Sequence, residues 1–397
     1  METSSPVEGL SHFATHAPRL SRGGLISAVI IGIIGAMVIF VTPGFLAIIA
    51  AQSGLDDAHL GYVAGWDINA MAVAIGISAF LLTRCDWRVA VGVAMVLVAL
   101  GNVGTALASG YTGIAAARVV AGAGEGIAIG FSFAALGRAR NPDRAFSIYL
   151  VSGALVSSLI LFAIPSMLTQ VSPRAIFIAN GLLALVALAS LVHFPDGRDE
   201  DDIFAARARI NRKLALYALV AVFLYFFATG AMWSYLERIG AMNGLSPSAI
   251  AQGLSLGTLA GVVGAGLAGL VPQRWGRALP LIASGAISVA SFQMLLGHLP
   301  ASSFVLAAVL LLFGWNFAQP LLSGICADAD RCGRVVCAMG AIQTFGTGLG
   351  PAAAGATLHD GDFSTAIWSS CAILVVSLAI VVLAITRAPG PVDPGAC

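Results

Sequence analysis

Charge is scarce in this chain. Of its 397 residues only 10% are charged, and Lys213 is the single lysine. A soluble domain carries roughly 25% charged residues, so water is not the main solvent here. Lys213 follows Arg212 rather than glycine, which excludes a G-x-x-x-x-G-K-[ST] phosphate loop and with it a nucleotide-driven pump. No H-E-x-x-H occurs, and no serine, histidine and acid fall together at one depth. An enzyme is therefore not expected. Cys85, Cys326, Cys332, Cys337, Cys371 and Cys397 form no C-x-x-C pair. Their spacing matches no zinc pattern, so neither a metal nor a cofactor is expected. The absence of any N-x-[ST] sequon favours a bacterial membrane over a glycosylated cell surface. No polar stretch is long enough for a separate soluble domain. The net charge of +1 gives no reason to expect nucleic acid.

What is present is apolar sequence. Hydrophobic residues make up 58% of the chain and mean hydropathy is +0.93. A helix needs about 20 apolar residues to span the hydrocarbon. The pattern predicts spans at 25–50, 60–82, 89–108, 114–136, 146–168 and 174–194, then at 214–237, 248–271, 278–297, 303–326, 335–357 and 364–386. The first run is too long for a signal-peptide core, so no cleaved leader is expected. The fold class is thus an all-α integral membrane protein of twelve transmembrane helices. Residues 1–194 and 214–397 form two six-helix bundles, joined by a linker, 195–213, whose mixed charge suggests a surface helix.

The halves are related in sequence. Residues 55–144 align without a gap on residues 245–334. Gly54-Leu55 falls on Gly244-Leu245, Gly76 on Gly266, Arg84 on Arg274 and Arg144 on Arg334. Duplicated six-span units are how many secondary transporters are built, with the solute site between the halves. The 46 glycines suit helices that approach closely in lipid. Gly253, Gly257 and Gly261 recur every four residues and read first as a packing face.

Basic residues set the orientation. With the N-terminus inside, 17 of the 20 fall in cytoplasmic segments and only Arg174 and Arg238 in external loops. Both termini are therefore expected in the cytoplasm. Arg118 is the remaining one, and it lies within the fourth span.

Three local signatures resemble the major facilitator superfamily. The loop after the second span reads roughly G-x-L-x-D-R-x-G-R-R in that family. Here the second-half copy keeps Gly269, Val271, Gln273, Arg274, Gly276 and Arg277, while the first keeps Leu81, Arg84 and Arg88. Thr83 stands where the family aspartate is expected, which puts its outward-facing lock in doubt. In span four, Ile114, Arg118, Ala121, Gly122 and Gly124 follow l-x-x-x-R-x-x-q-G-x-g except at Ala121. The resemblance implies that such an arginine assists proton transfer. The glycine-proline string of drug antiporters is missing from span five, and a similar one, Gly346, Gly350, Pro351 and Gly355, stands in span eleven. The family implies two pseudo-symmetric bundles whose spans one, four, seven and ten line a central cavity.

Intramembrane ionisable residues are costly and mark function by default. Three stand out: Asp67, Arg118 and Glu125. Arg118, Gly122, Glu125 and Ser132 share one helix face. Asp67 and Arg118 sit at similar depth, where an ion pair can form. Proton coupling through these three competes with a purely structural pairing. Candidate solute contacts are Arg118, Glu125, Tyr225, Trp233, Trp315, Asn316, Gln319 and Gln343. Glu237 and Arg238 read as solvated gate or loop residues. The expected function is secondary active transport of a small organic solute, coupled to protons, by a monomer in the bacterial inner membrane. An efflux antiporter for drugs or metabolites is the alternative.

Overall fold

The computed structural model describes residues 20–196, 210–270, 276–329, 334–358 and 362–387. Within them the chain is helical almost throughout. The first half holds α1 (Arg22–Phe40), α2 (Thr42–Ser53), α3 (Asp57–Leu81), α4 (Trp87–Leu107), α5 (Tyr111–Gly137), α6 (Pro142–Gln170) and α7 (Pro173–Ala187). A 3-10 stretch, Leu188–His193, prolongs α7. The second half holds α8 (Arg212–Met242), α9 (Pro247–Ala268), α10 (Ala278–Gln293), α11 (Ala301–Ala329), α12 (Arg334–Ala356) and α13 (Ser364–Arg387). Ten of the described spans are long and apolar enough to cross a membrane. α10 is shorter, at 16 residues. Large apolar side chains such as Leu100, Leu159, Val186 and Leu267 point outward, as a surface facing lipid requires.

Local chemistry sets the helix ends. Ser21, Asp56, Asp86, Asn141, Ser172, Asn211 and Ser246 each precede a helix, and each side chain accepts a backbone N–H of its first turn. Those donors have no partner within the helix. Gly54 and Gly244 follow α2 and α8 with φ of 66° and 74°, a left-handed conformation that costs a side-chain-bearing residue energy.

The expected first span is not one helix. It breaks at Val41, where φ is −120° and ψ is 21°. Pro43 lacks the N–H that the Ile39 carbonyl needs four residues back, so the ladder cannot continue. Taking α1 and α2 as one interrupted span, the thirteen described α-helices form twelve segments, the number expected. The linker helix expected over 195–213 lies largely outside the described residues.

The 190-residue offset holds in three dimensions. Helices α3 and α9 begin at Asp57 and Pro247, α5 and α11 at Tyr111 and Ala301. Contacts repeat as well. A Cβ on Gly126 would press on the Met71 carbonyl at 2.3 Å, and one on Gly261 would press on Asn316 at 2.6 Å. These are equivalent pairs with glycine on opposite partners. Trp87 stacks under the Arg138 guanidinium at 3.7 Å. At the equivalent positions Arg277 pairs with Asp328. The same joint is thus closed by a cation–π contact in one half and an ion pair in the other.

α1, α3–α5 and α7 pack mainly on one another, as do α8–α13. The two groups meet where α3 faces α12, α6 faces α9 and α2 faces α8. Small residues let them touch. Gly61 and Gly65 of α3 lie against Pro351 and Ala352, and Gly348 lies against Asn69. This is the small-residue packing that replaces hydrophobic drive in lipid.

Candidate functional site

Asp67 of α3 and Arg118 and Glu125 of α5 form one cluster. Arg118 and Asp67 are fully buried and Glu125 is 3% exposed. Arg118 Nη2 lies 2.7 Å from Asp67 Oδ2 and 3.0 Å from Glu125 Oε1. Its Nε also donates to Asp67 Oδ2, at 2.8 Å. The planar guanidinium serves two acids because its donors form a fixed fork. Both helices begin three residues earlier than expected from sequence, so the two positions still match in depth.

Gly122 makes the approach possible. A Cβ there would lie 2.2 Å from the Asp67 carbonyl oxygen. Glycine therefore brings the α3 backbone against α5, within reach of Arg118. Further polar groups extend the cluster, and the sequence reading missed them. Arg118 Nη1 donates to Asn102 Oδ1 of α4 at 3.3 Å, and Asn180 of α7 donates to the same oxygen at 3.0 Å. The Phe45 ring of α2 covers the guanidinium, 4.5 Å from its centroid. An amide inside an apolar run was the available signal for Asn102 and Asn180. Nothing marked Phe45.

The charges do not balance. Two carboxylates share one guanidinium, and Asp67 Oδ1 and Glu125 Oε2 are buried without a hydrogen-bond partner. The two carboxyl groups meet at one nitrogen, Arg118 Nη2, at 2.7 and 3.0 Å. Such a group can hold a proton between them. Ser132, further along the same face, is buried with an unpartnered hydroxyl.

The candidate solute contacts of the second half divide. Tyr225 is turned into its own bundle, where its hydroxyl donates to the Gly314 carbonyl at 3.0 Å beside Ser284 and Ser288. Asn316 likewise donates to Leu312 O and lies against Gly261. Both side chains make packing contacts within the second half. Trp315 is buried edge-on to Phe226, with ring centroids 5.4 Å apart. Gln319 and Gln343 are half-buried. Gly253, Gly257 and Gly261 abut Phe304, Ala308 and Asn316, which agrees with a packing face. Gly346, Gly350 and Gly355 abut Phe223, Phe227 and Tyr235, so packing accounts for the string in α12.

Trp233 joins the two halves. Its indole Nε1 donates to the Ile39 carbonyl at 3.0 Å, the acceptor left free by Pro43. Positions 43 and 233 are equivalents in the repeat. Nearby, Arg238 Nε pairs with Asp57 Oδ1 at 2.6 Å and Tyr235 donates to Asp57 O at 2.6 Å. Arg238 is therefore not a free loop residue. Glu237 is half-buried, and its Oε2 is buried without a partner. Ser158 and Ser255 meet near mid-span at 2.6 Å. The contacts Ser158–Ser255, Trp233–Ile39, Tyr235–Asp57 and Arg238–Asp57 between the halves lie from mid-span to the end that carries Gly54 and Gly244.

The loop motifs lie at the opposite, arginine-rich end. Arg88 donates to Phe194 O at 2.7 Å and pairs with Asp196 at 3.3 Å, tying α4 to the start of the linker. Arg84 is exposed. Gly269 ends α9, and Gly276 takes φ of 60° just before Arg277. Arg274 lies outside the described residues. No cluster of three or more potential metal ligands occurs among the described residues.

No curated protein matches this chain in sequence. Solved structures share its fold. A D-xylose–proton symporter superposes with a TM-score of 0.74 at 14% identity, covering 92% of this chain and 98% of that one. The xylose transporter XylE of E. coli, in a partially occluded inward-open conformation, gives 0.70 at 12% identity over 93% and 99%. A variant of the nucleoside transporter NupG gives 0.70 at 12% over 90% and 99%. The family model of the Major Facilitator Superfamily matches residues 28–345, so this chain belongs to that superfamily of membrane transporters.

Proposed function

We propose that the protein carries a small organic solute across the bacterial inner membrane by alternating access, coupled to protons through Asp67, Arg118 and Glu125. The observation that carries this reading is the charge imbalance of that cluster. With both acids ionised it bears one uncompensated negative charge in a site sealed from water. A single proton restores neutrality, and an isolated buried charge is too costly to persist. Proton gain and loss therefore require the cluster to open, and opening is what rocking of the halves supplies.

The units that move are residues 1–194 and 214–397, joined by 195–213. The arginine-rich end faces the cytoplasm. The Trp233, Tyr235 and Arg238 contacts then seal the outside, and the conformation is inward-facing. Trp315, Gln319 and Gln343 are the remaining candidates for solute contact from the second half.

Sugars and nucleosides head the solutes to test, because the matching structures carry xylose and nucleosides in their names; organic acids follow, because of Arg118. A thermal-shift screen of the purified protein selects the solute. Proton-driven uptake and solute counterflow are then measured in liposomes for Asp67→Asn, Glu125→Gln and Arg118→Ala. At least one acid variant loses uphill transport while keeping counterflow. If both acid variants still concentrate solute down a proton gradient, the cluster is structural.

A further inference from the structure

A second site lies apart from the Arg118 cluster, on the other side of α2. Phe45 faces Arg118, while Gly44 and Ala47 line a cavity of about 220 Å³ between α2 and α6 of one half and α8 and α9 of the other. Its walls include Leu161, Ile164, Leu168, Ile250 and Leu254. The one ionisable group among them is Glu237, whose Oε2 is buried and has no hydrogen-bond partner. The adjacent cation, Arg238, is shared, because Asp57 pairs with it at 2.6 Å, so two carboxylates face one guanidinium. The cavity thus offers apolar walls and one carboxylate left partly unanswered. An unpaired carboxylate in such surroundings costs several kcal/mol or so. A ligand with an apolar body and a positive head relieves that cost and fills the space.

We propose that this cavity binds a small organic cation, an aryl- or alkyl-substituted ammonium whose head group pairs with Glu237. The volume is below the roughly 300–1,000 Å³ of pockets for drug-sized ligands, so the occupant is a single-ring or short-chain amine. The walls come from both halves, so a bound cation holds this end shut. The inference does not rest on proton coupling through Asp67, Arg118 and Glu125.

The test uses the full chain in lipid nanodiscs and three probes: benzyltrimethylammonium, benzyl alcohol and phenylacetate. Calorimetric titration and thermal shift should both rank the cation at least tenfold above the neutral and anionic probes. Glu237→Gln should lower affinity for the cation at least tenfold and leave benzyl alcohol unchanged. Ala47→Phe, which fills the cavity while keeping the carboxylate, should abolish binding of the cation. Equal cation affinity in the wild type and Glu237→Gln overturns the proposal. So does equal binding of benzyl alcohol and the cation by the wild type, which marks an apolar lipid-tail site. Cation binding that survives Ala47→Phe in a folded protein overturns it as well.

Discussion

Arg118 shows how much one side chain can organise. It contacts Asp67, Glu125, Asn102 and Phe45, which belong to four helices. Removing it leaves two carboxyl groups facing each other in an apolar interior. Breaking a buried ion pair from one side typically costs about 3–5 kcal/mol. Arg118→Ala should therefore unfold at clearly lower temperature than Asp67→Asn or Glu125→Gln, each of which leaves the guanidinium one acid. Thermal unfolding in one fixed detergent compares the three; equal midpoints would show that Arg118 contributes nothing beyond its volume. Gly122→Ala probes the same cluster through the backbone. The added methyl meets the Asp67 carbonyl at 2.2 Å, and overpacking of this kind costs about 1–3 kcal/mol. It pushes Asp67 away from Arg118 without altering any charge. The identity of Asp67, Arg118 and Glu125 was legible because ions in an apolar run stand out. Their partners Asn102, Asn180 and Phe45 were not, because amides and aromatics are common in such runs and only the meeting of helices selects among them.

The break between α1 and α2 carries consequence at the scale of an element. Pro43 withholds one N–H, Ile39 O is left over, and Trp233 of the other half donates to it. Thr42 Oγ1 also lies 3.1 Å from that carbonyl and 2.6 Å from Val38 O. A local defect thus becomes a contact between halves. Pro43→Ala restores the missing donor and lets the helix run through Val41. The end carrying Gly54 and Gly244 should then open more often, and Trp233→Phe should do the same by removing the indole N–H. Spin labels at positions 54 and 244 report the separation. Longer distances in both variants are expected; an unchanged distribution in both would show that this hydrogen bond does not hold the end shut. The span was predicted as a single helix because Pro43 sits in an otherwise unbroken apolar run. Its effect depends on whether a partner claims the freed carbonyl, and that partner is 190 residues away in sequence.

For the whole molecule, the contacts Ser158–Ser255, Trp233–Ile39, Tyr235–Asp57 and Arg238–Asp57 join the halves from mid-span to one end, and arginines gather at the other. If the arginine-rich end is cytoplasmic, single cysteines at 243 should react with an impermeant reagent on intact cells and those at 200 should not. The reverse pattern would invert the molecule and turn the closed end inward. The same construction explains why the two halves differ where they are most alike. Asp67 and Arg118 occupy positions equivalent to Gly257 and Ala308, where a Cβ on Gly257 would lie 2.8 Å from the Ala308 carbonyl oxygen. One copy of the joint holds ions and the other only packs. The fully buried ion cluster thereby belongs to the first half, while the second supplies Trp233, Arg238 and Glu237 at the interface.

Composition, run length and the 190-residue offset were enough to establish a duplicated, all-helical membrane protein and to single out its three buried ions. Those properties follow from hydrophobicity and periodicity, which act within a few turns of chain and are written directly in residue order. Tertiary structure decided which polar groups make packing contacts, as with Tyr225 and Asn316, and which are left partly unanswered, as with Glu237. It also decided that the halves meet through Ile39–Trp233 and Asp57–Arg238. These outcomes depend on how helices distant in sequence rotate about their axes and approach one another. A change of one residue's worth of rotation, about 100°, exchanges the side chains presented to a neighbour, and no local pattern specifies that angle.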